Sequence, residues 1–171
     1  MSTLKVGTIQ DPTNSNTAIS IDSSGKVDFP VLGSVTKNVV SFCASGPSTY
    51  TNYGASGVMS YNVVTGNGVF DNTGGNYSTT NSEFTCAIAG LYHFEATALL
   101  QSESQSGIII QYRTGASGTT IANFHGYNWG RHLHTHALIN MTVGQTVRVL
   151  AESTTPHYIG IYGRFTGYLI G

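Results

Sequence analysis

Hydrophobic and polar residues alternate along most of the chain, in short runs. In GLYHFEATALL, Tyr92, Phe94, Ala96, Ala98 and Leu100 fall on one side of an extended backbone, and His93, Glu95 and Thr97 fall on the other. That period of two marks a strand with one buried face. NVVSFCAS, VMSYNVV, GIIIQYR, TTIANF, RHLHTHALINM, QTVRVLAES and IGIYGRFTGYLIG read as further strands, separated by clusters of Gly, Asn, Ser and Thr. The density of turn residues rules against helices. From residue 38 onward the pattern predicts roughly eight to ten strands, at the spacing of a sandwich or barrel.

The N-terminal stretch LKVGTIQDPTNSNTAISIDSSGKVDFP holds three shorter alternating runs, over 5–10, 18–22 and 26–29, broken by DPTNSN and SSG. Three small strands with so few large apolar side chains cannot bury a core of their own. The chain is therefore read as an attachment segment over 1–36 and a single head domain over 37–171. The attachment segment is expected to dock on another protein through residues 2–30 or to intertwine with copies of itself.

Composition narrows the partners. Seven basic residues against eight acidic ones give a net charge of -1, too little to steer the chain to nucleic acid or an anionic membrane. No window is apolar enough for a membrane helix, and MSTLKVGTIQDPTNSN lacks the apolar stretch of a signal peptide. Synthesis in a cytosol is expected, with Cys43 and Cys86 as free buried thiols and the sequons at Asn76 and Asn140 without glycan. In the closing stretch, Ile161, Phe165 and Leu169 are placed on one face and Tyr158, Tyr162 and Tyr168 on the other. Bulk on both faces predicts that the tyrosines pack against another subunit.

YSTTNSEFTCAIAGLYHF resembles the signature of the globular head of complement C1q. Tyr77, Phe84, Gly90, Tyr92 and Phe94 stand at the matching spacings, and Asn72 matches the upstream Asn or Asp. VGQTVRVLAE is similar to that family's Gly-Asp-x-Val strand, and GRFTGYLIG, with Phe165 and Gly167, is similar to its closing strand. Three matches in order cover about residues 37 to 171. Gly66, Ala96 and Gln145 depart from the pattern, so family-specific ligand binding is not carried over. The resemblance implies an all-β, tumour-necrosis-factor-like jelly-roll sandwich that associates as a homotrimer. Gly90 is expected to reverse the chain with unusual backbone angles. The opening segment STLKVGTIQDPTNSNTAISIDSSGKVDFP resembles the start of bacteriophage structural proteins, cyanophage ones among them. That implies a virion protein made in the host cytoplasm.

Two clusters carry candidate chemistry. In RHLHTHALIN, His132, His134 and His136 project to one side, and threefold symmetry could gather copies around zinc, nickel or iron. No Cys or acidic residue lies beside them in the sequence. In NFHGYNWGR, His125, Tyr127, Trp129 and Arg131 offer aromatic faces and hydrogen-bonding groups to a host surface glycan; the competing reading packs Trp129 into a subunit interface. Catalysis is not expected: nucleophile elbow, metal-protease helix, phosphate loop and paired carboxylates are all missing from the sequence. No cofactor is expected apart from a metal at the histidines. The sequence thus points to a non-enzymatic, trimeric tail-fibre or host-attachment appendage. A capsid decoration protein and a lectin-like module are the alternatives.

Overall fold

The computed structural model describes residues 8–10, 17–21, 27–28, 40–66, 68–160 and 162–170, with backbone alone for the first three stretches and for residues 103–105 and 129. Among them every regular element is a strand. The chain divides into two compact units, Met1–Val39 and Val40–Gly171. In the first, β1 (Thr8–Gln10), β2 (Thr17–Ile21) and β3 (Val27–Asp28) form an antiparallel meander in the order β1-β2-β3. The docking role predicted for residues 2–30 rests on side chains outside the described residues.

The second unit contains β4 (Ser41–Ala44), β5 (Phe70–Asp71), β6 (Tyr77–Ser78), β7 (Glu83–Thr85), β8 (Gly90–Arg113), β9 (Thr120–Met141), β10 (Thr146–Ala151), β11 (His157–Tyr158) and β12 (Arg164–Leu169). Two of these strands are long because each absorbs two predicted ones. GLYHFEATALL and GIIIQYR are the two halves of β8, and TTIANF and RHLHTHALINM are the two halves of β9. The pair runs from Gly90↔Met141 to Arg113↔Thr120, with shifts of register between Leu99 and Ser104 and between Tyr112 and Arg113. The first half of β8 pairs with β12, which pairs with β4 and then β5. The second half pairs with β10, then β7, then β6. One hairpin thus serves two layers.

The core lies between the layers. Phe42, Phe94 and Phe165 from the first meet Tyr77 and Phe84 from the second, with ring centroids 4.4 Å apart for Phe42 and Tyr77 and 5.7 Å for Phe84 and Phe94. Tyr92 and Phe94 stack at 5.9 Å. The alternation in GLYHFEATALL holds: Tyr92, Phe94, Ala96, Ala98 and Leu100 are all buried. Gly167 has a packing reason, since a Cβ there would stand 2.5 Å from the Phe42 ring and 2.7 Å from that of Phe94. Three core tyrosine hydroxyls find backbone carbonyls. Tyr61 donates to Thr97 O (2.8 Å), Tyr77 to Tyr61 O (2.6 Å) and Tyr92 to Ile88 O (2.7 Å).

Three expectations are corrected. Gly90 is close to extended (φ 158°), and the left-handed glycine near it is Gly144 (φ 89°), whose N–H donates to Cys86 O. The chain needs no tight reversal at Gly90 because β7 and β8 are not hairpin partners; β10 lies between them. VMSYNVV is not a continuous strand: it joins its neighbours through single bridges at Val58 and Val63, while Met59 and Tyr61 plug the core. The closing stretch is also not one strand. Tyr158 belongs to β11 and pairs with Leu99, whereas Tyr168 lies in β12 beyond the turn that carries Tyr162. Ile161 lies outside the described residues.

Candidate functional site

The outward face of the first layer gathers several exposed large apolar side chains of the second unit. Side chains on odd positions of β8 and even positions of β9 and β12 point away from the core, and the register lines them up in rows. Tyr168, His93 and Leu138 form one row across β12, β8 and β9. Phe70, Cys43, Thr166, Glu95 and His136 form the next, across five strands. Leu91 and Ile170 adjoin at the end of the face, where the Ile170 N–H donates to Leu91 O. Leu138 is 58% exposed, Ile170 52%, Tyr168 45% and Phe70 42%. Such grouping of large apolar side chains on one sheet face marks an interaction surface.

His132, His134 and His136 are all exposed on this face, as the alternation predicts. The stretch itself holds no acid, but the fold brings one: His134 Nε2 is 3.1 Å from Glu95 Oε1, from the partner strand. The sequence separates these two by 39 positions, and only the β8–β9 register joins them. His134 and His136 have ring centroids 5.7 Å apart, and His93 stands 6.4 Å from His136 and 5.1 Å from Tyr168. Among the described residues no group of three or more His, Cys, Asp or Glu is arranged within one chain to hold a metal ion.

The residues predicted for glycan contact are drawn to different partners. His125 Nδ1 is 2.9 Å from Glu152 Oε1. Arg131 donates to Leu100 O at 3.1 Å and to the Tyr50 hydroxyl at 2.8 Å. Tyr50 packs on Tyr158 (5.3 Å), which packs on Tyr162 (5.6 Å). Tyr158 and Tyr162 therefore form a cluster with Tyr50 and Arg131, distinct from the row that holds Tyr168. Tyr127 is 56% exposed beside Gly107, whose missing Cβ leaves room for Glu152. The Trp129 side chain lies outside the described residues.

A polar groove was missed by the sequence reading. The second layer carries Glu83, Arg148 and Gln111 side by side on β7, β10 and β8. Arg113 Nη1 is 3.1 Å from Glu83 Oε2, and both side chains are almost fully buried. Arg113 also donates to the carbonyls of Ala116 and Gly118, tying the β8–β9 turn over the sheet. The groove above this row has a volume of about 500 Å³ and is lined by Val58, Ser60, Thr80, Asn81, Ser82, Glu83, Ala116, Ser117 and Arg148. The usable signal was a charged residue inside an apolar strand, as in GIIIQYR and QTVRVLAES.

The model of a family described as the C1q domain matches residues 48–170. No curated protein matches the sequence. Among solved structures, the globular domain of zebrafish complement 1qA protein is similar at 19% identity and a TM-score of 0.54, covering 77% of this chain and 97% of its own. Eiger TNF from S. frugiperda is similar at 8% identity and a TM-score of 0.58, covering 78% and 94%. Murine APRIL is similar at 10% identity and a TM-score of 0.53, covering 76% and 98%. At these identities the structures speak for the fold alone.

Proposed function

The chain belongs to the C1q domain family, and from that premise we propose that it is a non-enzymatic, homotrimeric binding head carried on a phage virion as a tail-fibre or host-attachment appendage. The observation that carries the reading is the outward face of the first layer. Leu91, Leu138, Tyr168 and Ile170 gather there on a sheet whose other side is already a closed core. A single chain gains nothing by exposing them; three copies packed around an axis cover them and remove their apolar area from water. Symmetric presentation also gives three heads per appendage, so that weak individual contacts add up to firm attachment.

The small Met1–Val39 unit supports the anchoring half of the proposal, because a three-stranded meander of this size depends on a partner for stability. Its virion address rests on its resemblance to phage structural proteins. The test is antibody-gold labelling of purified particles, scored by electron microscopy. Gold at the tail is the expected result, with labelling lost when residues 1–36 are deleted although the remaining head stays folded and trimeric. Regular gold over the shell would replace attachment with capsid decoration, and an unlabelled particle would leave a free lectin-like module.

A further inference from the structure

The groove over β7 and β10 has an imbalance of charge and of hydrogen bonds. Two guanidinium groups, Arg113 and Arg148, share one carboxylate, Glu83. Arg113 takes the closer contact and also donates to Ala116 O and Gly118 O. Arg148 is held only through Nε, which donates to Gln111 Oε1 at 2.9 Å. Its two terminal nitrogens make no hydrogen bond with the described residues, and Arg148 lines the groove. Burial and the neighbouring Arg113 both disfavour the charge on Arg148, so an incoming anion would relieve a standing electrostatic cost. Ser82 opens β7 in a left-handed conformation (φ 50°) while buried, a local cost in a non-glycine residue that shapes the wall beside Glu83.

Around this cation stand Ser60, Thr80, Asn81 and Ser117, all donors and acceptors of the kind that read hydroxyls, while Val58 and Ala116 supply modest apolar contact. Among the described residues no aromatic ring lines the groove, so stacking on a neutral sugar is not the main source of affinity. A planar, forked guanidinium with both terminal nitrogens open matches a carboxylate in two-pronged fashion. We propose that this groove binds a carboxylate-bearing sugar, such as a uronic acid unit of a surface polysaccharide, with Arg148 on the carboxylate and the hydroxyl and amide side chains on the ring. The inference deepens the attachment reading, on which it rests, by naming the ligand class.

The test is titration of the full chain with sodium glucuronate, glucose and sodium sulfate, followed by backbone amide NMR shifts. Glucuronate is expected to move the amides of Ser60, Asn81 and Ser117, with glucose inert and sulfate much weaker. Arg148→Gln should weaken glucuronate binding roughly tenfold to hundredfold, the loss of a charge-assisted pair. Ser117→Trp, at the exposed turn, should block the groove without touching the buried pair, and guards against a folding defect in the first variant. Silence with glucuronate, an equal response to glucose, or an equal response to sulfate would each overturn the assignment. These outcomes are independent of particle labelling: gold away from the tail with glucuronate binding intact would overturn the attachment role and leave the site.

Discussion

His157 shows how one side chain can set the acid limit of the fold. It is fully buried beside the Tyr53 ring, and among the described residues neither ring nitrogen has a hydrogen-bond partner of good geometry. Burial pushes its pKa below the ordinary 6.5, only partly offset by the backbone of Thr155 and Gly107. The unfolded chain therefore takes up a proton that the folded chain refuses. Stability is full above about pH 6.5 and declines as the pH falls below it. Thermal melts across this range should show a steeper acid decline for the wild type than for His157→Phe, and parallel curves would refute the assignment. Nothing in TTPHYIG marks this histidine as buried. Its environment is made by Tyr53 and by the link after β10, more than a hundred positions apart in sequence from the first to the second. The core aromatics were legible because each sits at a two-residue period within its own strand, whereas the Glu95–His134 contact was not, because it depends on how two strands align.

At the scale of elements, strands were readable and their joins were not. Local alternation identifies both halves of β8 and of β9, but it contains no instruction that each pair of halves joins into one strand across the break in pairing between Leu99 and Ser104. Glycine carries that instruction. At Gly126, within β9, a Cβ would stand 2.0 Å from His134 O, where β9 comes back against itself; at Gly107 it would meet Glu152 Oε2 at 2.1 Å and Gly126 O at 2.7 Å. Gly126→Ala should cost about 3 kcal/mol or more, because the obstacle is backbone and cannot rotate away; denaturant midpoints measure it, and a loss below about 0.5 kcal/mol would contradict the close approach. The charged row under the groove makes a second prediction. Glu83→Gln leaves Arg113 buried without its counter-charge, and a loss of about 3 kcal/mol is expected by the same assay. A Glu83→Gln, Arg113→Met double variant should recover much of that loss, as a buried pair is worth less than the penalty for halving it.

For the whole molecule, the decisive quantity is the number of chains per particle. Light scattering should give three, and Leu138→Asp with Tyr168→Asp should reduce it to one while leaving the β-sheet circular dichroism intact, since both side chains point away from the core. Tyr158→Asp and Tyr162→Asp, in the separate Tyr50 cluster, should affect assembly less. The reverse order would move the interface. The architecture was legible because the aromatic and glycine spacings lie in ordered segments; the division of the tyrosines was not, because β11, the turn and β12 read as one alternating run. The arrangement of β12 also has a bearing on synthesis. Arg164–Leu169 is inserted between β4 and β8, in the middle of its layer, so Phe42 and Phe94 lack the strand that joins them until the ribosome has released residue 169. The head cannot close piecemeal as it emerges, and a chain stalled before that point carries an open core for chaperones and proteases to find.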